Sequence, residues 1–289
     1  MITVDEALSG RDGLLEATGG HPYARHALRH DQAVRGWRRG GAVGWLLPPG
    51  EWSAGGAVGA PGPALDVFAA QRADGSLRPN QSINLPHADP EEVAARLPVA
   101  RLVEWDLLWT SGPPPRRPEQ ERVVRLTEAD HPALAALIEE AFPSTTSRPG
   151  EPGIVDWYGI RDGDRLLACG ADRSRGDIGF LAGLTVLPGQ RGRGLGAALT
   201  AGMTEALFGR YDTVALGVYP DNVGAVGSTA GSVSPPPNAA PRSSWPDGAG
   251  TGQGSDRTAA TPPPEARRTR SWYGTAHSGA PAVAGASNR

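Results

Sequence analysis

The 289-residue chain contains no lysine. All 28 of its cationic side chains are arginines, set against 31 acids for a net charge of -3. Lys codons are AT-rich, so this absence points to a GC-rich coding sequence, and the near balance of charge excludes a generally basic nucleic-acid binder. A single cysteine, Cys169, excludes a disulfide framework and any multi-cysteine zinc site. No apolar run approaches the ~18 residues of a membrane span, and the first residues, MITVDEALSGRDG, are too polar and acidic for a secretory signal. The expectation is therefore a cytoplasmic protein with no nucleic-acid and no membrane partner.

The residues that interrupt regular structure are abundant instead: 40 Gly and 28 Pro. Three compositions follow one another along the chain. Residues 1–112 carry five of the eight Trp among short apolar runs such as AVGWLL and LVEWDLLW, and read as an N-terminal α/β domain. Residues 113–121, with Pro113 to Pro115 in a row and no core-forming side chain, read as a stiff linker. Residues 122–227 read as a regular α/β unit. Residues 228–289 contain no Leu, Ile, Met or Phe and are expected to be a disordered tail, because a segment that buries little apolar surface cannot offset roughly 1 to 2 kcal/mol per residue of backbone ordering.

Within the α/β unit, RVVRL at 122–126 is a strand. Thr127 and Asp130 resemble a capping box ahead of a helix with Leu134, Leu137, Ile138 and Ala141 on one face. Runs at 157–160 and 165–171 form a hairpin through Arg161-Asp-Gly-Asp164, and 178–186 is a longer apolar strand closed by Leu187-Pro188. Then comes Arg191-Gly-Arg-Gly-Leu-Gly196, running into a helix with Leu195, Leu199, Met203 and Leu207 at i+4 spacing. Glycines between a strand end and a helix start let backbone N–H groups face a ligand, and the helix N-terminus adds roughly half a positive charge, so this loop suits a phosphate or pyrophosphate. The spacing is G-x-G-x-G rather than the Rossmann G-x-G-x-x-G, no ribose-binding acid follows at the right distance, and without Lys there is no P-loop.

Leu184-Thr-Val186-Leu-Pro188 followed by Arg191-Gly-Arg-Gly194-Leu-Gly196 resembles the acetyl-CoA loop of the Gcn5-related N-acetyltransferases, and Pro220-Asp-Asn222-Val-Gly-Ala225 resembles the family's next signature. The resemblance covers residues 122–227 and is closest to the FR47-like two-domain type, with 1–112 as a smaller, degenerate half. It implies a mixed, mostly antiparallel sheet flanked by helices and transfer of an acetyl group from acetyl-CoA to a primary amine of a small molecule or peptide. Leu184, Thr185 and Val186 would meet the pantetheine arm. Arg191, Gly192, Arg193, Gly194, Leu195 and Gly196 would hold the pyrophosphate, and Asn222 would contact the pantetheine or the reacting amine. No metal is implied.

The sequence departs from the family where the acid and base should be. The strand before the loop, IGFLAGLTV, has no carboxylate, and after Ala225 the family's Tyr-bearing helix is replaced by Ser228-Thr-Ala-Gly-Ser-Val-Ser234. Tyr219 is the substitute acid, weighed against simple packing at a strand end. A GC-rich coding sequence for L-Y-R-R-L-G-F with one C deleted translates as S-T-A-G-S-V-S, which suggests an out-of-frame C-terminus from about Ser228. On that reading the fold is incomplete at its C-terminus, the strand at 213–218 has an uncovered edge, and activity is impaired. The alternative is a non-catalytic acyl-CoA binder or a non-functional product.

Two further signals carry less. His26 and His30 stand at i, i+4 with His21 and Asp31 nearby, but no Glu or Cys completes a zinc motif, and they read as exposed helix polar residues. Cys169 sits in a strand pattern and reads as a buried structural thiol. The coding sequence tests the tail directly: shifted by one nucleotide near codon 228, it is expected to yield an apolar, family-like C-terminus. A polar or stop-rich frame removes that reading.

Overall fold

Thr127 and Asp130 cap each other as their spacing suggests: the Thr127 N–H donates to the Asp130 carboxylate at 2.7 Å, opening a 3-10 turn that runs into a helix. In the computed structural model, which describes residues 6–49, 53–219 and 267–276, that helix is one of six around a single hydrogen-bonded ladder of twelve strands. The N-terminal elements are β1 (Glu6–Ser9), α1 (Gly10–Ala17), α2 (Pro22–Ala27), β2 (Arg35–Arg39), β3 (Ala42–Leu46), β4 (Gly55–Gly59), α3 (Pro61–Ala73), β5 (Ser82–Pro86), α4 (Pro90–Arg96) and β6 (Val99–Thr110). After the linker follow β7 (Val123–Leu126), α5 (His131–Ala141), β8 (Asp156–Asp162), β9 (Arg165–Asp172), β10 (Gly179–Val186), α6 (Leu195–Phe208), β11 (Val214–Val218) and β12 (Arg267–Ala276).

The strand order is β1-β2-β3-β4-β5-β12-β6-β11-β10-β9-β8-β7. Adding six to each strand number maps one end of the sheet onto the other. Among the described residues, β4–β5 and β10–β11 are the two parallel pairs, and every other pair is antiparallel. The two central strands are exchanged: β6 leaves the N-terminal half to pair with β11, while β12 pairs with β5 on one side and β6 on the other. The mixed, mostly antiparallel sheet with flanking helices is as expected from the resemblance.

Two expectations change here. The edge of β11 is not bare, because Asp106 to Thr110 of β6 pair with Val218 to Val214 along its whole length. The twelve-residue β6 is long enough to serve β11 on one edge and β12 on the other. The tail is not wholly irregular either, since residues 267–276 form β12. A strand laid between two others satisfies its backbone on both edges, and Thr269, Trp272, Tyr273 and Thr275 are strand-favouring residues that a count of aliphatic side chains overlooks. The rest of 228–289, including Ser228, where an out-of-frame segment is expected to begin, lies outside the described residues.

The glycine loop's helix is buried where the i+4 pattern placed it: Leu195, Leu199, Met203 and Leu207 join a core with Leu134, Leu137 and Ile138 of α5 and residues of β8 to β11. A second core surrounds α3, and a third joins α1 and α2 to Leu107, Ile178 and Ala215, so apolar packing ties the N-terminal elements to β6, β10 and β11. Polar contacts do the same. Arg25 donates to Thr213 Oγ1 at 3.1 Å and to Asp212 Oδ1 at 2.7 Å, and Arg175 donates to the carbonyls of His26 at 3.2 Å and Ala27 at 3.1 Å. Asp177 is held by Arg11 and by His30 Nε2 at 2.8 Å. Gly176 is required between them: its φ is +59°, and a β-carbon there would lie 2.0 Å from the Arg25 carbonyl oxygen. No helix among the described residues is long and apolar enough to cross a membrane.

The histidines belong to this seam and not to an exposed helix face. α2 ends at Ala27, so His26 and His30 do not share a helix. His21 Nδ1 accepts the Tyr23 N–H at 3.1 Å, and His26 stacks on Phe180 with ring centroids 4.2 Å apart. Burial holds the His26 imidazole at a pKa of about 3, with Arg175 and Arg173 adding repulsion, and burial holds His21 at about 4. Unfolding releases both to the ordinary value of about 6.5, so the unfolded chain binds protons that the folded one refuses. Their contribution is complete above pH 6.5 and declines as pH falls toward 4, by about 1.4 kcal/mol per pH unit for each histidine. Denaturant unfolding between pH 7.5 and 5 is expected to show this loss. His26→Phe, which keeps the stack, is expected to remove about half of it; an unchanged slope would contradict the assignment.

Candidate functional site

The site begins where two parallel strands stop pairing. β10 and β11 are hydrogen-bonded only over Gly179 to Leu181 against Val214 to Leu216. β10 then shifts register against β9 between Ala182 and Thr185, a β-bulge that bends the strand away. Gly183 lies at the bulge with φ +59°, and a β-carbon on it would come within 2.7 Å of Ser147 Cβ. Thr185, buried, donates its hydroxyl to the Gly183 carbonyl at 2.9 Å and fixes the bulge from inside. Between the diverging strands lies a cleft of about 1540 Å³, with Gly183 to Val186 on one wall and Leu216 to Tyr219 on the other.

The glycine loop closes one end of this cleft. A 3-10 turn at Pro188–Gln190 leads into Arg191, whose guanidinium donates to the Val186 carbonyl at 3.3 Å and the Ala141 carbonyl at 3.2 Å, pinning the loop to β10 and the end of α5. Gly192 has φ +78° and Gly194 φ +81°, and Gly194 caps α6 in the left-handed conformation. Among the described residues, and apart from the chain neighbours, no atom lies within 4 Å of a β-carbon built on either, so these glycines answer a demand of backbone conformation rather than of space. Gly196 differs: it is within α6, and its β-carbon would make ordinary contact with Val186 at 3.7 Å. α6 is 14 residues long with no acid in its first turn, so its unpaired N–H groups and dipole leave positive potential facing the cleft.

Most residues expected at a cofactor site meet here. Leu184, Thr185, Val186, Arg191, Gly192, Gly194, Leu195 and Gly196 all line the cleft. Arg193 is in the loop but donates to Gln190 Oε1 at 2.7 Å and does not line it. Tyr219 lines the opposite wall at the end of β11, 54% exposed. Asn222 lies outside the described residues. Cys169 is fully buried opposite Thr185, and burial pushes its thiol up to about 12, so it is a packed, protonated side chain and not a nucleophile.

Local motif reading missed two contributors. The hydroxyl-bearing segment Ser144 to Ser147 after α5 borders the cleft, as does Arg101 to Glu104 of β6. Glu104 is a carboxylate at a site whose own strand β10 has none. It comes from the N-terminal half of the chain, so only the strand exchange reveals it. The Glu104 side chain is 27% exposed, with His87 Nε2 at 3.2 Å from its Oε1.

Part of the chain is similar to a known family, and several solved structures are similar to it. The family model described as FR47-like protein matches residues 157–227. No curated protein matches. Among solved structures, a GCN5-related N-acetyltransferase from Kribbella flavida is 20% identical over 90% of this chain and 95% of its own, with a TM-score of 0.46. A tandem GNAT protein from the clavulanic acid biosynthesis pathway is 13% identical over 96% of this chain and 100% of its own, with a TM-score of 0.46. A GNAT family acetyltransferase from Brucella melitensis, solved in complex with acetyl-CoA, is 18% identical over 30% of this chain and 68% of its own, with a TM-score of 0.26. Residues 157–227, which contain the diverging strands, the glycine loop and its helix, are thus the part of the chain that matches the FR47-like family.

Proposed function

We propose that the chain is an N-acetyltransferase that moves an acetyl group from acetyl-CoA to a primary amine of a small molecule or peptide. The observation that carries this is the cleft between β10 and β11, joined to a glycine loop at the N-terminus of α6. A cleft between two strands that stop pairing suits a pantetheine arm, and a positive-φ loop on a helix N-terminus suits the pyrophosphate. No metal takes part in this reading. Leu184 to Val186 offer backbone groups to the arm and an N–H toward the thioester carbonyl, a contact typically worth about 10²- to 10³-fold in rate. Arg191 to Gly196 hold the pyrophosphate. Asn222, placed by motif, meets the pantetheine, and Tyr219 returns a proton to the leaving thiolate. The amine attacks the thioester directly, so the residues' tasks are proximity and proton transfer.

The rival reading is a binder of acyl-CoA without turnover, favoured by the lack of a carboxylate on β10. Titration of the full chain with acetyl-CoA, followed by thiol release with a panel of amines, separates the two. The transferase gives saturable binding and amine-dependent thiol, the binder gives binding alone, and no binding by folded protein overturns both.

Gly194→Val tests where the pyrophosphate sits. It is expected to weaken acetyl-CoA binding by at least about tenfold, or about 1.4 kcal/mol, because Val cannot hold φ +81° and its side chain would enter the loop. Gly153→Val is the control: it imposes the same backbone strain at φ +86° in a position that does not line the cleft, and is expected to leave affinity unchanged. Equal affinities for the two variants would refute the placement.

A further inference from the structure

Glu104 occupies a position that the amine-transfer reading leaves without a candidate. In the β6–β11 ladder the last pair is Asp106 with Val218, so Glu104 stands two residues further along β6, just past the end of β11 where the cleft opens beside Tyr219. Strand alternation puts Glu104 on the face of β6 that also carries Leu108, and Leu108 packs with Leu216 and Val218 in the core of the cofactor half. The carboxylate therefore borders the wedge from the acceptor end and not from the glycine loop.

His87 follows β5, and β12 separates β5 from β6 in the sheet. Its Nε2 nevertheless reaches Glu104 Oε1 at 3.2 Å, bridging from the β5 side to β6. The two side chains differ in exposure, with His87 at 42% and Glu104 at 27%. One member of the pair thus borders the cleft and the other leads to solvent, an arrangement suited to moving a proton outward.

We propose that Glu104, supplied by the N-terminal half, is the base that deprotonates the acceptor ammonium, with His87 carrying the proton onward to solvent. The inference rests on the acetyltransferase reading and deepens it. A proton leaves the ammonium nitrogen for a Glu104 oxygen, the nitrogen lone pair forms the bond to the acetyl carbon, and the carbon–sulfur bond breaks. The thiolate takes its proton from Tyr219, the second proton that the nitrogen sheds on becoming an amide returns to Tyr219, and Glu104 is reset through His87. A positioned base of this kind typically contributes about 10²- to 10⁴-fold. It also gives the exchange of β6 a chemical consequence, since neither half alone holds both the cofactor loop and the base.

Two small nucleophiles of similar size make the test. Methylamine is protonated at pH 7 and needs a base, whereas hydroxylamine is neutral there and does not. With the full chain and acetyl-CoA, Glu104→Gln is expected to lower thiol release with methylamine by at least about 10²-fold. Release with hydroxylamine in excess of the protein-free mixture is expected to stay within about threefold, and acetyl-CoA affinity to stay unchanged. Glu104→Asp retains a carboxylate and is expected to fall between wild type and Gln with methylamine; if the Gln variant does not fold, the methylamine-to-hydroxylamine ratio of the Asp variant decides. Equal losses with both nucleophiles would show that Glu104 only braces the sheet, and undiminished methylamine transfer would show that the base lies elsewhere; either overturns the proposal. Wild-type protein that binds acetyl-CoA but releases thiol with neither nucleophile also overturns it and leaves the binder. Failure of the wild type to bind acetyl-CoA is the separate failure of the acetyltransferase reading.

Discussion

The edge of β11 is the constraint on which the rest of this structure depends. A five-residue apolar strand at the end of a sheet presents a row of unpaired N–H and C=O groups, and such an edge recruits a partner. Here the partner is β6, which binds the two ends of the chain into one ladder. Because β6 crosses over, the third core can mix Leu107 with Ile178 and Ala215, and the Arg25, Arg175 and Asp177 contacts act across a seam already aligned by backbone pairing. β12 then occupies the position between β5 and β6 that the exchange leaves open.

The same geometry makes a cleft. β11 is hydrogen-bonded on its outer edge to β6 over all five residues but to β10 over only three, so β10 is free to bend at the Gly183 bulge while β11 stays in plane. The opening is thus set by backbone pairing and not by a loop that must find its position. The glycine loop follows at once because the bent strand ends beside the N-terminus of α6, where positive-φ glycines turn amide groups inward. The glycine loop and the cleft are joined in one local device, which is why both are found within residues 157–227.

The two halves of the sheet share a topology without sharing a site. At the N-terminal counterpart of the glycine loop, β4 ends at Gly59 and α3 begins at Pro61, with Ala60 alone between them. One residue cannot cradle a pyrophosphate, whereas the eight residues between Val186 and Leu195 can. The N-terminal half contributes instead a covering strand and, through Glu104, a carboxylate.

The local elements were legible in the sequence because each obeys a short-range rule. The capping box at Thr127, the hairpin through Gly163, the i+4 stripe of α6 and the glycine loop all depend on residues within one turn or strand of each other. The family motif was legible for the same reason, since strand, loop and helix are contiguous. What the sequence did not disclose depends on long-range pairing: the cover over β11, the place of residues 267–276, the burial of His26 against Phe180, and the arrival of Glu104 at the cleft. By itself, then, the sequence determined the glycine loop and the elements that present it, because propensity, capping and glycine conformation act locally. Only the tertiary structure decided which strand closes the sheet and which distant acid faces the cleft, because hydrogen bonding between strands is indifferent to their separation along the chain.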